Sequence, residues 1–370
     1  MLVKLSVKNF RNFEDWFEID LKSERSYEFN SHVVENDTVK HGVIYGVNGG
    51  GKSNLGLAIL DITAHLTDNI ISSGLKQNYL NAKLNSGMAE FIYEFCINGY
   101  TVIYKYGKED CDTTIYEKLS INDKLVIEFD RRNSNLATFN LDGSETLKND
   151  FSGRNISPIK FLKSNALLDD NKINNIFEKF INFVDGMVFF RTLTKSQEFY
   201  GQPLTQQRVS QSIIEQSKLE DFEKFLNESG VSCKLKQSGV KGEEIIEFDF
   251  GKKSIEFSQA ASTGTISLGN FYYWYLKLSS GEISFAYIDE FDAYYHFSLS
   301  RKIVDKISST NCQSIITTHN SSLMSNDILR PDCYFVLEEN GLKPLHQLTS
   351  REIRKAHNLE KMYRSGAFDE

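Results

Sequence analysis

Gly46-Val47-Asn48-Gly49-Gly50-Gly51-Lys52-Ser53 fills every fixed position of the pattern GxxxxGK[ST]. The apolar run Gly42-Val43-Ile44-Tyr45 leads into it and reads as a short strand, and a helix is expected from Ser53 to about Leu66. Strand, glycine turn and helix start are what phosphate binding requires. Glycines let successive backbone N–H groups turn inward around phosphate oxygens, and the helix N-terminus adds its partial positive charge. Lys52 is expected to reach the β- and γ-phosphates and the Ser53 hydroxyl to ligate Mg²⁺, with Gly46, Asn48, Gly49, Gly50, Gly51 and Asn54 completing the nucleotide-binding set. The ligand so implied is a magnesium-bound nucleoside polyphosphate.

Working outward, a second stretch supplies the acidic groups such a site needs. Phe285-Ala286-Tyr287-Ile288-Asp289-Glu290 is an apolar run ending in adjacent carboxylates, the form of a Walker B strand. Successive strand residues point to opposite sides, so Asp289 is expected to hold the metal and Glu290 to polarise an attacking water. A helix follows, with Leu299, Ile303, Val304 and Ile307 sharing a face, and then a strand Ser314–Thr317 that ends in Thr318-His319-Asn320. His319 thereby falls at the C-terminal edge of the next strand, where ligands of open α/β sheets collect. Upstream, Ser262-Thr263-Gly264 opens a helix over Ile266 to Leu278, a cap and an anion site in one. The aromatic run Phe271–Tyr275 in that helix reads as core packing rather than as a base-stacking platform.

The remaining sequence frames these motifs. Of 370 residues, 40% are hydrophobic and 25% charged, enough apolar material for a sizeable core, and the net charge of −8 argues against a sequence-independent grip on nucleic acid. Five scattered cysteines without a CxxC and seven histidines without an HxH or HExxH suggest neither a disulfide scaffold nor a zinc site. The first residues alternate like a strand rather than forming a signal sequence, and the longest apolar run, Phe271 to Leu276, is far too short for a bilayer, so a cytoplasmic protein with no membrane partner is expected. Alternating strands with turns at Asn98-Gly99 and Asn122-Asp123 fill Met88 to Phe139 and predict an antiparallel sheet. Asp169 to Gly230 reads as helical, with Ile173, Ile176, Phe177, Phe180, Ile181 and Val184 on one face. A pair of strands, Cys233 to Leu235 and Ile245 to Phe250, precedes the Walker B region. Arg351, Arg354 and Lys355 read as a solvated helix face or a partner surface.

The order P-loop, Ser-x-Gly helix start, apolar run with Asp-Glu, Asp292-Ala293 and Thr318-His319 resembles the ABC-type ATPase head, in its SMC-like and RecF-like branch. Asn48-Gly49 and the opening Leu5-Ser6-Val7-Lys8-Asn9-Phe10-Arg11-Asn12-Phe13 resemble that branch too, with Arg11, Asn12 and Phe13 placed near the nucleotide on resemblance alone. Three departures stand out: Ser-Thr-Gly-Thr where the signature has Ser-Gly-Gly-Gln, no recognisable Q-loop glutamine, and no coiled-coil arm between Ser53 and Ser262. The resemblance implies an α/β fold: an ABC-type head with a mixed or parallel sheet, flanking helices, an antiparallel β lobe, a helical insertion and no long coiled coil. It further implies a single head over 1–370, divided into a β lobe with the P-loop (1–160), a helical insertion (165–232) and a lobe carrying signature, Walker B and switch histidine (233–370). In such heads two copies sandwich two ATP molecules, so Ser262 and Gly264 would touch the γ-phosphate held by the other copy's Lys52, with Asp292 near the shared interface and Glu290 and His319 catalytic.

Leu329-Arg330-Pro331-Asp332-Cys333-Tyr334-Phe335 and the segments Arg351–Arg354, His357–Tyr363 and Gly366–Phe368 narrow the resemblance to stand-alone AAA-15/AAA-21-type ATPases of bacterial anti-phage systems, similar to those of abortive-infection, PARIS-like and Septu-like operons. That implies a slow Mg²⁺-dependent ATPase forming a homo-dimer or higher oligomer through its heads. It would sense a nucleic-acid or phage-protein trigger and regulate a separately encoded, nuclease-like effector. The 51 residues after His319 are too few for a Toprim nuclease domain, so nuclease activity is expected to come from the effector. Two alternatives remain open at this level. One is a RecF-like DNA-repair ATPase, which calls for a contiguous basic surface; the other is a nucleotide-dependent scaffold with negligible turnover.

Overall fold

In the computed structural model, which describes residues 1–68, 76–84, 86–191, 206–240 and 242–369, two sheets pack on either side of the helix that starts at Lys52. That helix spans Lys52–Leu66 and is apolar nearly all round, as expected of one covered on both sides. Toward one sheet, Gly56 lies so close to the Phe189 and Tyr287 rings that a Cβ would sit 2.5 Å from them. Toward the other, the Ala58 carbonyl accepts a hydrogen bond from Tyr93 Oη at 2.7 Å, and Asp61 meets Tyr79, Tyr106 and Lys108.

The sheet beneath the site has the strand order Met187–Arg191, Phe285–Asp289, Gln313–Thr317, His41–Tyr45, Tyr334–Leu337, Leu342–Pro344. The first five strands run parallel and the last is antiparallel. The inner strands are buried on both faces, which accounts for their continuous apolar runs. Register pairs Arg191 with Asp289, Ile288 with Ile316, and Thr317 with Ile44, so the C-terminal ends of four strands finish at one edge.

The second sheet is antiparallel and seven-stranded, built from Leu2–Lys8, Phe17–Asp20 and five strands between Ala89 and Phe139. Its hairpins turn where expected. Asn98 and Gly99 have φ of 51° and 80°, and Asn122 and Asp123 have 45° and 62°, the left-handed pairs that suit two-residue hairpins. Tyr93, Tyr104 and Tyr106 from this sheet are fully buried and face the Lys52 helix and the helix Lys172–Asp185, whose Phe180 meets Phe95 edge-on at 5.3 Å. Buried Gln313 joins the two sheets, exchanging hydrogen bonds with the Leu2 backbone at 2.8 Å in both directions.

The segment expected to be helical holds more than helices. Helices at Pro158–Asn165, Lys172–Asp185, Gln206–Glu215 and Leu219–Glu228 flank a strand, Met187–Arg191, that forms the edge of the parallel sheet. The stretch 192–205 of the expected insertion lies outside the described residues. The strand expected at Cys233–Leu235 begins instead at Leu235 and ends at Ser238, joining Ile245–Asp249 and Ser254–Glu256 in a small antiparallel sheet. Arg351, Arg354 and Lys355 are in a non-helical loop; helix resumes only at Leu359–Arg364.

Among the described residues the longest helix is Thr263–Ser280, with 18 residues, so no long coiled coil is present there, and no helix is long and apolar enough to cross a membrane. Phe271, Tyr272, Tyr273 and Trp274 in it are buried, in line with the core reading.

Candidate functional site

The turn from Tyr45 to Lys52 curls over the C-terminal edge of the parallel sheet. Gly49 and Gly51 have φ of 75° and 104°, in the left-handed region where a side chain is strained, and a Cβ on Gly51 would lie 2.5 Å from Asn12 Nδ2. Asn12 also accepts a hydrogen bond from Asn54 Nδ2 at 2.7 Å, so the N-terminal segment braces the turn. Lys52 is 5% exposed, and its ammonium donates to the carbonyls of Gly46 at 2.8 Å and Val47 at 3.1 Å. Burial lowers its pKa from the usual lysine value, while nearby Asp289 and Glu290 favour the charged form. Tyr287 Oη donates to the Lys52 carbonyl at 2.6 Å, tying the helix start to the Walker B strand.

Asp289, fully buried, is the hub. Its Oδ2 accepts from Ser53 Oγ at 2.6 Å and its Oδ1 from Thr317 Oγ1 at 2.7 Å. Thr317 Oγ1 in turn accepts from the Glu290 backbone N–H at 2.8 Å. Ser53 and Asp289, far apart in sequence, thus meet as expected. Glu290 has φ of 49°, a left-handed conformation that costs a non-glycine residue about 1–3 kcal/mol. Its carboxylate Oε2 is buried with no hydrogen-bond partner among the described residues. A strained acidic residue just past the end of the Walker B strand, its oxygen without a partner among the described residues, suits a group awaiting a water or a substrate.

These residues fit a hard cation. A serine hydroxyl and a carboxylate are oxygen ligands of the kind Mg²⁺ takes, and Mg²⁺ is commonly held by only one or two carboxylates, with phosphates and waters filling the rest. Among the described residues no group of three or more His, Cys, Asp or Glu side chains is placed to form an all-protein cage.

The second set of expected residues is Ser262, Gly264, Asp292 and His319. Ser262 caps the Thr263–Ser280 helix, accepting from the Thr265 backbone N–H at 3.2 Å. A Cβ added at Gly264 would meet nothing nearer than the Tyr294 carbonyl at 3.7 Å, so packing within the chain does not require glycine there. Asp292 accepts from Thr318 Oγ1 at 2.8 and 2.9 Å. Burial raises its pKa above the usual carboxylate value, opposed by the Thr318 hydroxyl and by nearby His319. His319 itself is exposed at the strand end. Among the described residues no hydrogen bond or ion pair joins Ser262, Gly264, Asp292 or His319 to the Lys52–Ser53–Asp289 cluster.

Sequence reasoning missed Arg191 and Thr317. Arg191 Nε is 3.2 Å from Asp289 Oδ2 and its Nη2 donates to Ser53 Oγ at 3.1 Å. The signal was present: Met187-Val188-Phe189-Phe190-Arg191 is an apolar run ending in a charge, the same form as Phe285–Asp289, but it follows a helix directly and was absorbed into the helical reading. The C-terminal motif Leu329–Phe335, by contrast, proves structural where it is charged. Arg330 and Asp332 form a buried ion pair at 2.6 Å that Ser23 Oγ joins, donating to Asp332 Oδ2 at 2.6 Å.

A family model described as "AAA domain, putative AbiEii toxin, Type IV TA system" matches residues 43–325. No curated protein matches the chain. Among solved structures it is similar to the SMC head domain from Thermotoga maritima, with 16% identity and a TM-score of 0.45 over 93% of this chain and 98% of that one. It is also similar to an SMC head bound to the C-winged helix domain of ScpA (15% identity, TM-score 0.47, 92% and 96% of the two chains). A third is an Smc head with an extended coiled coil bound to the C-terminal domain of ScpA derived from Pyrococcus furiosus (14%, 0.44, 92% and 95%).

Proposed function

The chain belongs to the AAA_21 family of AAA-type ATPases, and we propose that it binds Mg²⁺·ATP at the Lys52–Ser53–Asp289 cluster, hydrolyses it slowly and pairs head-to-head with a second copy in doing so. The observation that carries this reading is the meeting of Ser53 with Asp289 at 2.6 Å, beside a strained Glu290 with an oxygen unpartnered among the described residues. Lys52 exchanges its bonds to the Gly46 and Val47 carbonyls for the β- and γ-phosphates, and the backbone N–H groups of the turn hold the remaining phosphate oxygens. Ser53 and Asp289 would hold magnesium, which when bound neutralises phosphate charge. Glu290 takes up the attacking water, aligned because its backbone N–H is anchored on Thr317. Asp289 is the shared anchor of Ser53 and Thr317.

Ser262 and Gly264 serve the γ-phosphate in the second copy, with Asp292 at the interface and His319 as its switch. The open space at Gly264 supports this, since the glycine answers no packing need of its own chain. In the cell the closed pair acts as a sensor or regulator of a separately encoded, nuclease-like effector in anti-phage defence, because affinity that differs between open and closed states gates the effector. Turnover of ATP by wild type, Lys52→Ala and Glu290→Gln tests the chemistry. Slow hydrolysis lost in both variants, with ATP still bound by Glu290→Gln, is expected; unchanged turnover in Glu290→Gln removes Glu290 from the reaction.

A further inference from the structure

Beyond Lys52, Ser53, Asp289 and Glu290, a second cation of the chain, Arg191, reaches the site. Arg191 ends the edge strand that pairs in parallel with the Walker B strand, in register with Asp289. Its guanidinium spans the two residues assigned to the metal, with Nε 3.2 Å from Asp289 Oδ2 and Nη2 3.1 Å from Ser53 Oγ. Asp289 is fully buried, and a buried carboxylate needs a compensating positive charge or several donors. Here the donors are two hydroxyls, and the only cation within ion-pair distance among the described residues is Arg191. Arginine suits this task because its planar head can lie in ion-pair contact with Asp289 through one edge while Nη2 donates to Ser53, and because the guanidinium stays charged at any physiological pH.

We propose that Arg191 is a positioning residue that stands in for magnesium when the metal is absent and yields Asp289 and Ser53 to it when Mg²⁺·ATP binds. The proposal rests on the nucleotide reading of the site. Two consequences follow from charge balance. Without magnesium, Arg191 shields incoming phosphates from the Asp289 carboxylate, so metal-free ATP binding depends on it. With magnesium, the metal performs that shielding, and Arg191 matters much less. Arg191 therefore reduces the advantage that magnesium confers on ATP binding, and removing it makes the site more dependent on the metal. The arginine holds the two ligands close together before the metal arrives, at the expense of having to be displaced.

The test compares the dissociation constant of a fluorescent ATP analogue in excess EDTA with that in millimolar magnesium, for the full chain as wild type, Arg191→Ala, Arg191→Lys and Asp289→Asn. In Arg191→Ala the ratio of the two constants should rise about tenfold, equivalent to about 1.4 kcal/mol, through weaker metal-free binding. Arg191→Lys should restore most of the wild-type ratio, since a single ammonium keeps the charge but loses the fork. Equal weakening under both conditions would mark Arg191 as merely structural, and a lower ratio would mean that it helps the metal rather than replacing it; either overturns the proposal. Absence of nucleotide binding by wild type, or an unaltered ratio in Asp289→Asn, would instead sink the reading of the site on which the proposal stands.

Discussion

At Asp292 the fold holds a carboxyl group in surroundings that disfavour its charge. Burial is the largest influence and raises its pKa, while the Thr318 hydroxyl and nearby His319 act against that shift. The native chain therefore holds this proton to higher pH than the unfolded chain does. The stability tied to it is fully present below the ordinary aspartate pKa of about 3.9 and is lost as pH rises through the raised value. Asp292→Asn keeps an acceptor for Thr318 Oγ1 and removes the titration. Its melting temperature should lie close to wild type near the unperturbed pKa and pull above it toward neutral pH. Parallel curves across that range would show that Asp292 carries no such penalty. Glu290 and Arg191 belong to the same scale, one strained and without a partner for its Oε2 among the described residues, the other paired with the residue proposed to hold the metal.

Among the elements, the Lys52–Leu66 helix is the one whose position sets the chemistry, because it carries Lys52 and Ser53 and touches both sheets. Two contacts pin it. Asp61, buried and met by Tyr79 at 3.0 Å, Tyr106 at 2.9 Å and Lys108 at 3.4 Å, ties it to the antiparallel sheet. Gly56 lets it sink against Phe189 and Tyr287 of the parallel sheet, both of them buried rings with little room to move. Alanine at 56 drives a methyl group into those rings. Overpacking of roughly 1–3 kcal/mol, offset by about 1 kcal/mol from replacing a mid-helix glycine, leaves an expected loss of up to about 2 kcal/mol. Urea denaturation measures it, with a second effect on nucleotide affinity because Tyr287 also holds the Lys52 carbonyl. A Gly56→Ala variant as stable as wild type would mean that the two layers can move apart freely.

For the whole molecule the question is pairing. Lys52, Ser53 and Asp289 lie together, while among the described residues Ser262, Gly264 and Asp292 form no hydrogen bond or ion pair to them; the proposed head-to-head pair would bring that second set to the nucleotide of the other copy. With Mg²⁺·ATP, Glu290→Gln should sediment as a dimer. Adding Gly264→Arg should return it to monomer without lowering its melting temperature, since the position is open. If both variants stay monomeric, head pairing is wrong; if both dimerise, the Ser262 helix is not at the interface.

Local features were legible from residue order because short-range backbone demands produce them. The phosphate turn needs glycines at left-handed positions 49 and 51, the hairpins need Asn-Gly and Asn-Asp, and Ser262 caps its own helix three residues on. The fold class and the meeting of Ser53 with Asp289 followed from such signals plus the strand patterns. The order of the parallel strands did not: the Gln313–Thr317 strand comes between the phosphate-turn strand and the Walker B strand, which lets Thr317 link Asp289 to Glu290. Nor did the role of Arg191, which depends on an edge strand choosing Phe285–Asp289 as its neighbour. Those contacts join residues far apart along the chain, and their energy comes from burying two layers against one helix, a property of the assembled core that no single stretch encodes.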